Sequence, residues 1–293
     1  LHEALARIEP GELLVSDALY DAPDYRKSLR EAKTSVTPLP SAMFDSTAAE
    51  RRLLAFFNVA SLDGFGDLSR ADVAAAGALV AYVDRTQKGG RPPLRPPLAE
   101  PKGAVVAIDP ATRANLELTS TLSGERKGSL LWALDRTVTA AGARELASRL
   151  ASPLTDIGGI TARLDAVGFL VARGETRAGL RDALKGAPDL ARSRARLALQ
   201  RGGPRDLACI RDGVVAAAAL AALLGREEEL PSALRSIHER LGLVSDGLRA
   251  ALGSALVDRP PLNRRDGNFI AEGYRDELDE ARALRDASRQ VVA

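Results

Sequence analysis

The chain has 293 residues, with 41 basic against 39 acidic side chains, a formal net charge of +2, 45% hydrophobic residues and only 4% aromatics. That balance excludes a disordered tail, which couples low hydrophobicity to high net charge. It also excludes a protein that coats nucleic acid through bulk electrostatics. Cys209 is the only cysteine, and His2 and His238 are the only histidines, so neither a disulfide scaffold nor a His/Cys metal site is expected. Six of the basic residues are lysines; the arginine excess, with abundant alanine, reads as codon usage in a GC-rich genome rather than as function. The longest uninterrupted apolar run, Val214 to Leu224, is about half of the ~20 residues needed to cross a bilayer. Leu1 stands where a Met would open a complete chain, and both ends read as cut.

In chain order, Glu12 to Asp17 is a short apolar run after Pro10-Gly11 and predicts a buried strand. Thr47 and Glu50 have capping-box spacing ahead of a helix running to about Phe57. Asp63-Gly64-Phe65-Gly66 reads as a turn, and Ser69 as the cap of a helix with the stripe Val73, Ala76, Leu79, Val80 and Val83. From Lys88 to Pro101 the composition turns to Gly and Pro, which no helix survives, and the domain boundary is placed here. Ala104 to Asp109 reads as a strand or extended run into Pro110.

The remainder is helical. Asp156 is expected to cap a helix whose stripe is Ile157, Ile160, Leu164, Val167 and Val171. A helix from Pro204 carries Leu207, Ile210, Val214, Ala217, Ala221 and Leu224; others start near Pro231 and Ser245. Asp266-Gly267 between short extended segments signals a hairpin. A charged helix from about Tyr274 then offers Arg275–Asp279 and Arg282–Asp286 pairs.

Recognisable chemistry is sparse. No Gly-Lys dipeptide occurs, so the chain has no P-loop motif. A nucleophile–base pair would need His2 or His238, and His238 beside Ile237 reads as structural. Glu227-Glu228-Glu229 reads as a solvated loop or cap, and Asp276, Glu277, Asp279 and Glu280 as an ion-paired surface. No catalytic, cofactor-binding or metal residue is assigned. Arg192 and Arg196 share a helical face that could touch DNA phosphates, although Asp189 and Asp206 lie close and no aromatics interleave.

One ordered set of motifs is specific. Asp109-Pro110-Ala111-Thr112-Arg113-Ala114-Asn115-Leu116-Glu117-Leu118 resembles the D-x-x-T-R-x-N-L-E-L signature of the MutS DNA mismatch repair family. Gly128-Ser129-Leu130-Leu131, Leu134 to Thr139, Gly142-Ala143-Arg144, Pro153 to Asp156 and Ile160 to Val167 follow in the family's order. Downstream, Asp189 to Arg192, Pro204-Arg205-Asp206-Leu207 and Asp266 to Asp279 continue it.

The resemblance implies a fold: an α/β N-terminal part, which is a partial ribonuclease H-like connector, followed by a mostly α-helical core or lever domain with a short β-hairpin. It divides the chain into the C-terminal portion of the connector (1–90), a Pro/Gly-rich linker (91–103) and the core/lever domain (104–293), truncated before the clamp. No Phe-x-Glu occurs, so the mismatch-reading wedge is expected to lie elsewhere in the parent, as are the clamp and the ATPase.

For the whole protein the resemblance implies a homodimer that grips mismatched duplex DNA, exchanges ADP for ATP with Mg, becomes a sliding clamp and recruits MutL. It implies a bacterial, cytoplasmic protein acting at the nucleoid, with no membrane partner. For this chain it implies no enzymatic activity, but transmission of conformational change between the ATPase and DNA-clamping ends. Asp109, Thr112, Arg113, Asn115 and Glu117, with Pro204, Arg205 and Asp206, are then interdomain structural positions. Arg113 and Glu117 also have i,i+4 spacing, and Asp109 and Thr112 that of a cap. The competing expectations are a free-standing helical interaction scaffold, and a nuclease, which the loop-like placing of Asp17, Asp21 and Asp24 disfavours.

Overall fold

In the computed structural model, which describes residues 2–31, 34–87, 91–101 and 103–292, helix α1 (His2–Ile8) precedes the expected strand, β1 (Glu12–Ser16). The chain divides into two units, 1–161 and 162–293. In the first, β1 pairs in parallel with β2 (Ser35–Leu39), from Glu12 opposite Ser35 to Ser16 opposite Leu39. Parallel strands need a crossover, and α2 (Asp17–Asp21) and α3 (Pro23–Glu31) supply it. Asp17, Asp21 and Asp24 therefore lie on helices, not in the expected loop: the Ser16 hydroxyl accepts from the Leu19 N–H at 3.2 Å and starts α2, while Pro23 opens α3. β2 escaped the sequence reading because Pro38 interrupts it, which a strand tolerates only at a sheet edge.

Helix α4 (Ser46–Phe57) packs on α5 (Arg70–Thr86). The expected Thr47–Glu50 box is not the cap of α4. Asp45 accepts from the Ala48 N–H at 2.8 Å, which draws Ser46 and Thr47 into the first turn. Asn58, left-handed at φ 54°, ends the helix. Ser69 and Asp72 form a full capping box on α5. Its buried residues are Gly77, Ala78 and Val80, whereas Leu79 of the expected stripe is exposed. A Cβ on Gly77 would lie 2.3 Å from Ala49 Cβ and 2.6 Å from Ala49 Cα, so the two helices meet where one has no side chain. The core beside this contact gathers Leu53, Leu62 and Val80.

Residues 91–101 are extended, as the prolines require, but they are not loose. Leu94 packs on the α4–α5 core, Arg91 pairs with Asp84 at 2.9 Å and lies over the Phe56 ring, and Arg7 holds Glu100 through two 2.6 Å bonds. Lys88, Gly89, Gly90 and Lys102 lie outside the described residues. The strand expected at Ala104 to Asp109 reduces to one antiparallel bridge, Val105 to Leu154. Helices α6 (Pro110–Asn115), α7 (Leu130–Leu134) and α8 (Ala140–Ala151) follow, and α9 (Ile157–Ala172) contains the division between the units. Asp156 caps α9, accepting from the Gly159 N–H at 2.6 Å. The expected stripe of α9 is solvent-exposed, because the helix buries Phe169 and half-buries Ala166 and Leu170 instead.

The second unit continues with α10 (Gly174–Lys185), α11 (Leu190–Ala198), α12 (Pro204–Leu224), α13 (Ser232–Gly242), α14 (Asp246–Ala255) and α15 (Asp276–Val292). Helices α10, α11, α13 and α14 all pack on α12. α12 as a whole is long and apolar enough to cross a membrane by length and composition, although its uninterrupted apolar run is short. Phe169, Leu224, Leu230 and Leu234 form the core. On α13, Ile237 is exposed while His238 turns inward, its Cε1 3.3 Å from where a Cβ of Gly225 would stand.

The expected hairpin at Asp266-Gly267 is a single antiparallel bridge, Leu256 to Ile270, around a 3₁₀ turn at Arg264–Asp266. Gly267 and Asn268 both have positive φ and take the chain out of the turn, so no ladder forms. α15 starts at Asp276; Arg282 bonds Asp279 at 2.9 Å and the Ile270 carbonyl at 2.7 Å, and Asp286 is held by Arg285.

The Gly77 contact yields a direct test. Gly77→Ala forces the Ala49 backbone to move and should cost about 1–3 kcal/mol in urea unfolding. Gly64→Ala, with nothing within 4 Å of its Cβ, should be near neutral. Equal effects from the two would contradict the close approach.

Candidate coupling site in the signature segment

The signature segment begins with a cap. Asp109 Oδ1 accepts from the Ala111 and Thr112 N–H groups at 2.9 and 3.0 Å, and Pro110 occupies the first helical turn. The Thr112 hydroxyl and these N–H groups hold the Asp109 carboxyl below its ordinary range. Asn115 closes α6, exposed.

The expected Arg113–Glu117 pair is absent among the described contacts, because Glu117 lies beyond the helix in left-handed backbone, φ 46°. Its carboxylate accepts from the Leu122 N–H at 2.7 Å instead. Its carbonyl accepts from Leu130 N–H at 3.0 Å, and that of Leu118 from Leu131 N–H at 2.9 Å. The signature thereby closes the loop that ends in Gly128-Ser129-Leu130-Leu131, which gives the order of these two motifs a physical reason.

Ser129 and Asp135 anchor that loop, and the sequence reading had assigned neither a role. Ser129 is fully buried; its hydroxyl donates to the Arg126 carbonyl at 2.7 Å and accepts from the Trp132 N–H at 3.2 Å. Asp135 accepts from the Thr137 hydroxyl at 2.7 Å and N–H at 2.9 Å, and pairs with Arg126. The Thr137 bonds first, then the Arg126 guanidinium, hold its carboxyl below the ordinary range. A polar side chain that far buried or that fully bonded leaves no mark in hydrophobic periodicity, so only the motif order pointed here.

Arg113 is the chemically conspicuous member. Its Nε is buried and without a hydrogen-bond partner. It lines a cleft of about 540 Å³ between α1 and α6, with His2, Glu9, Thr34 and Thr121 on the walls. An orphaned buried donor of this kind costs about 1–3 kcal/mol.

The second group of signature residues opens α12 in the other unit. Pro204 is buried at the first helical position, and Asp206 reaches back to the Gly203 N–H at 2.8 Å. Burial acts to raise the Asp206 carboxyl, but the Gly203 N–H, Arg196 and Ser193 outweigh it and hold it below the ordinary range. Arg196 is occupied by this contact at 3.1 Å and by the Arg201 carbonyl, while Arg192 on the same helix is exposed. Arg205 makes one long contact, Nε to the Pro260 carbonyl at 3.4 Å.

Arg211, which sequence reasoning passed over, does more: it donates to the Val257 and Asp258 carbonyls at 2.9 and 3.1 Å. Glu227 is not the solvated side chain expected; it binds Arg173 at 2.8 Å and the Thr176 hydroxyl, with Arg173 stacked 4.0 Å over the Phe169 ring. No cluster of three or more His, Cys, Asp or Glu that could hold a metal occurs among the described residues.

Caps, a closed loop and arginines on backbone carbonyls make up both groups. Comparison with known proteins identifies the family. The family model for MutS domain III matches residues 111–292, and that for MutS domain II matches residues 1–96. The chain belongs to the MutS family. It is 55% identical over 293 residues to a DNA mismatch repair protein MutS of Nitrobacter winogradskyi, covering all of this chain and 33% of that protein. A protein of the same name from Rhodopseudomonas palustris (strain BisB5) is 56% identical over 293 residues, and one from Azorhizobium caulinodans 54% identical over 289. The chain spans about a third of the length of these relatives.

The Asp135 anchor predicts a pH dependence. A carboxyl lowered in the folded state contributes stability above its unfolded pKa, about 3.9, and loses it as pH falls through the folded value. Thr137→Val should therefore destabilise the chain by a constant amount above about pH 4, and the difference should close below it. Urea unfolding across this range reads the effect; a gap unchanged down to pH 2 would contradict it.

Proposed function

We propose that these 293 residues are the connector and core/lever part of a MutS-type mismatch-recognition protein, and that they carry conformational change between its ATPase and DNA-clamping ends. The observation that carries the reading is the match of the whole chain, domain II followed by domain III, to proteins named for mismatch repair. On this reading residues 1–90 are the C-terminal portion of a ribonuclease H-like connector, 91–103 the linker and 104–293 the lever. The chain itself performs no chemistry. ATP or ADP with Mg belongs to the full-length protein, a cytoplasmic homodimer acting at the nucleoid, whose partners are mismatched duplex DNA and MutL. α12 serves as the packed axis of the helical unit, not as a membrane segment.

The structural features fit a transmission part. Close-packed helices pass displacement along because interiors are not compliant. Arg113, with its buried unpartnered Nε, is suited to take a carboxylate or carbonyl from a neighbouring domain, and Asp109, Thr112, Asn115 and Glu117 set the helix and loop that aim it. Pro204, Arg205 and Asp206 hold the start of α12 in the same sense. Phosphate contact on α11 falls to Arg192, because Arg196 already holds Asp206.

The test is duplex binding. The full-length polypeptide should bind a duplex with one mismatch at least about tenfold tighter than the matched duplex, about 1.4 kcal/mol, and hydrolyse ATP. The 1–293 chain should do neither. A mismatch preference in the chain alone, or none in the full-length polypeptide, would overturn the reading.

A further inference from the structure

Arg113 carries a positive charge with no bonded counterpart. Its Nε is buried and unpartnered, and among the described residues its guanidinium has neither an ion pair nor a hydrogen bond. The two carboxylates of its own segment are engaged elsewhere. Asp109 caps α6, and Glu117 accepts from the Leu122 N–H at 2.7 Å. A charge drawn away from water is ordinarily matched by an opposite charge or by hydrogen bonds. This one marks a place for an anion.

The cleft that Arg113 lines gives that anion its character. Its volume, about 540 Å³, is that of a small-molecule site and far more than one carboxylate group fills. Leu5, Ala6, Pro110 and Leu122 supply apolar wall between α1 and α6. Glu9 lines the same cleft without pairing to Arg113 among the described residues, and its charge disfavours a dianion such as phosphate. The His2 ring is already bonded to the Ser28 hydroxyl at 3.0 Å, which leaves Arg113 as the one strong anion donor on these walls.

We propose that this cleft binds a free, small monocarboxylic acid with an apolar body. Its carboxylate meets the Arg113 guanidinium, and its hydrocarbon part lies against the walls between α1 and α6. The inference rests on the reading of Arg113 as a coupling residue and adds regulation to it. A bound acid occupies the guanidinium that a neighbouring domain would otherwise take, so it lowers the coupling.

The experiment titrates the full-length polypeptide calorimetrically with hexanoate, acetate and inorganic phosphate. Hexanoate should bind saturably and at least about tenfold tighter than acetate, because its longer chain reaches the apolar walls. It should exceed phosphate by a similar factor. Arg113→Ala should weaken hexanoate binding at least about tenfold. Leu122→Glu, at a side chain 72% exposed, puts a carboxylate into the cleft and should do the same with thermal unfolding unchanged. Absence of hexanoate binding would overturn the proposal. So would acetate or phosphate binding as tightly, or hexanoate binding unaltered in the two variants. The ratio of ATP turnover with mismatched to matched duplex is read on the same preparations, and saturating hexanoate should lower it. A mismatch-dependent ratio that bound hexanoate leaves unmoved would overturn the regulation. Hexanoate binding with a ratio of one throughout keeps the site and fails the functional reading; a mismatch-dependent ratio without hexanoate binding does the reverse.

Discussion

Missing Cβ atoms let two pairs of helices approach closely, α4 with α5 and α11 with α12. At Gly77 the backbone of α5 lies against Ala49 of α4, and at Gly213 α12 lies against Leu190, whose Cδ2 would be 2.2 Å from an added Cβ. Leu53 and Val80 fill the space beside the first; α10, α13 and α14 pack along the same α12 that carries the second. At Gly77 the contact reaches the Ala49 backbone, which leaves little room for α4 and α5 to slide along one another, whereas at Gly213 the neighbour is the Leu190 side chain. The proposed transmission role would draw on that stiffness.

Polar side chains then tie loops to these helices. Ser129 is fully buried between Arg126 and Trp132, Arg211 holds the carbonyls of Val257 and Asp258, and Glu227 joins Arg173 to Thr176. Each fixes a loop through a charge-assisted or buried bond, stronger than a solvated one. Arg113 stands apart from this pattern: it belongs to the most specific motif in the chain, yet its Nε has no partner here.

The helices and their caps were largely readable from sequence, because Ser69, Asp109, Asp156 and Ser245 act over three residues. Two local signals were passed over, the Ser16 cap and Pro23 that start α2 and α3 and the Asp45 cap of α4; the other failures were non-local. β2 contains a proline and exists only because β1 is beside it; the bridges at Val105 and Leu256 looked like a strand and a hairpin because extended residues resemble either. Periodicity marked Ile157, Ile160, Leu164, Val167 and Val171 as the stripe of α9, but those residues are exposed and the helix buries Phe169. A helix with two apolar faces cannot be told from one with a wide face by counting residues. In the signature segment, Asp109 as a cap followed from local chemistry, while the left-handed Glu117 and its bond to Leu122 broke the expected pair with Arg113. Family resemblance located the segment, and the structure shows the cap and the loop-closing bonds its residues make.

We propose that Arg113 and the loop that follows α6 lie on a route between the nucleotide and DNA ends of the full-length protein. The most direct measurement is the ratio of ATP turnover with mismatched to matched duplex in full-length Arg113→Ala. Thermal unfolding of the same preparation shows that the fold survives. On this proposal the ratio falls toward one and unstimulated turnover is retained. A normal ratio at normal stability would contradict it.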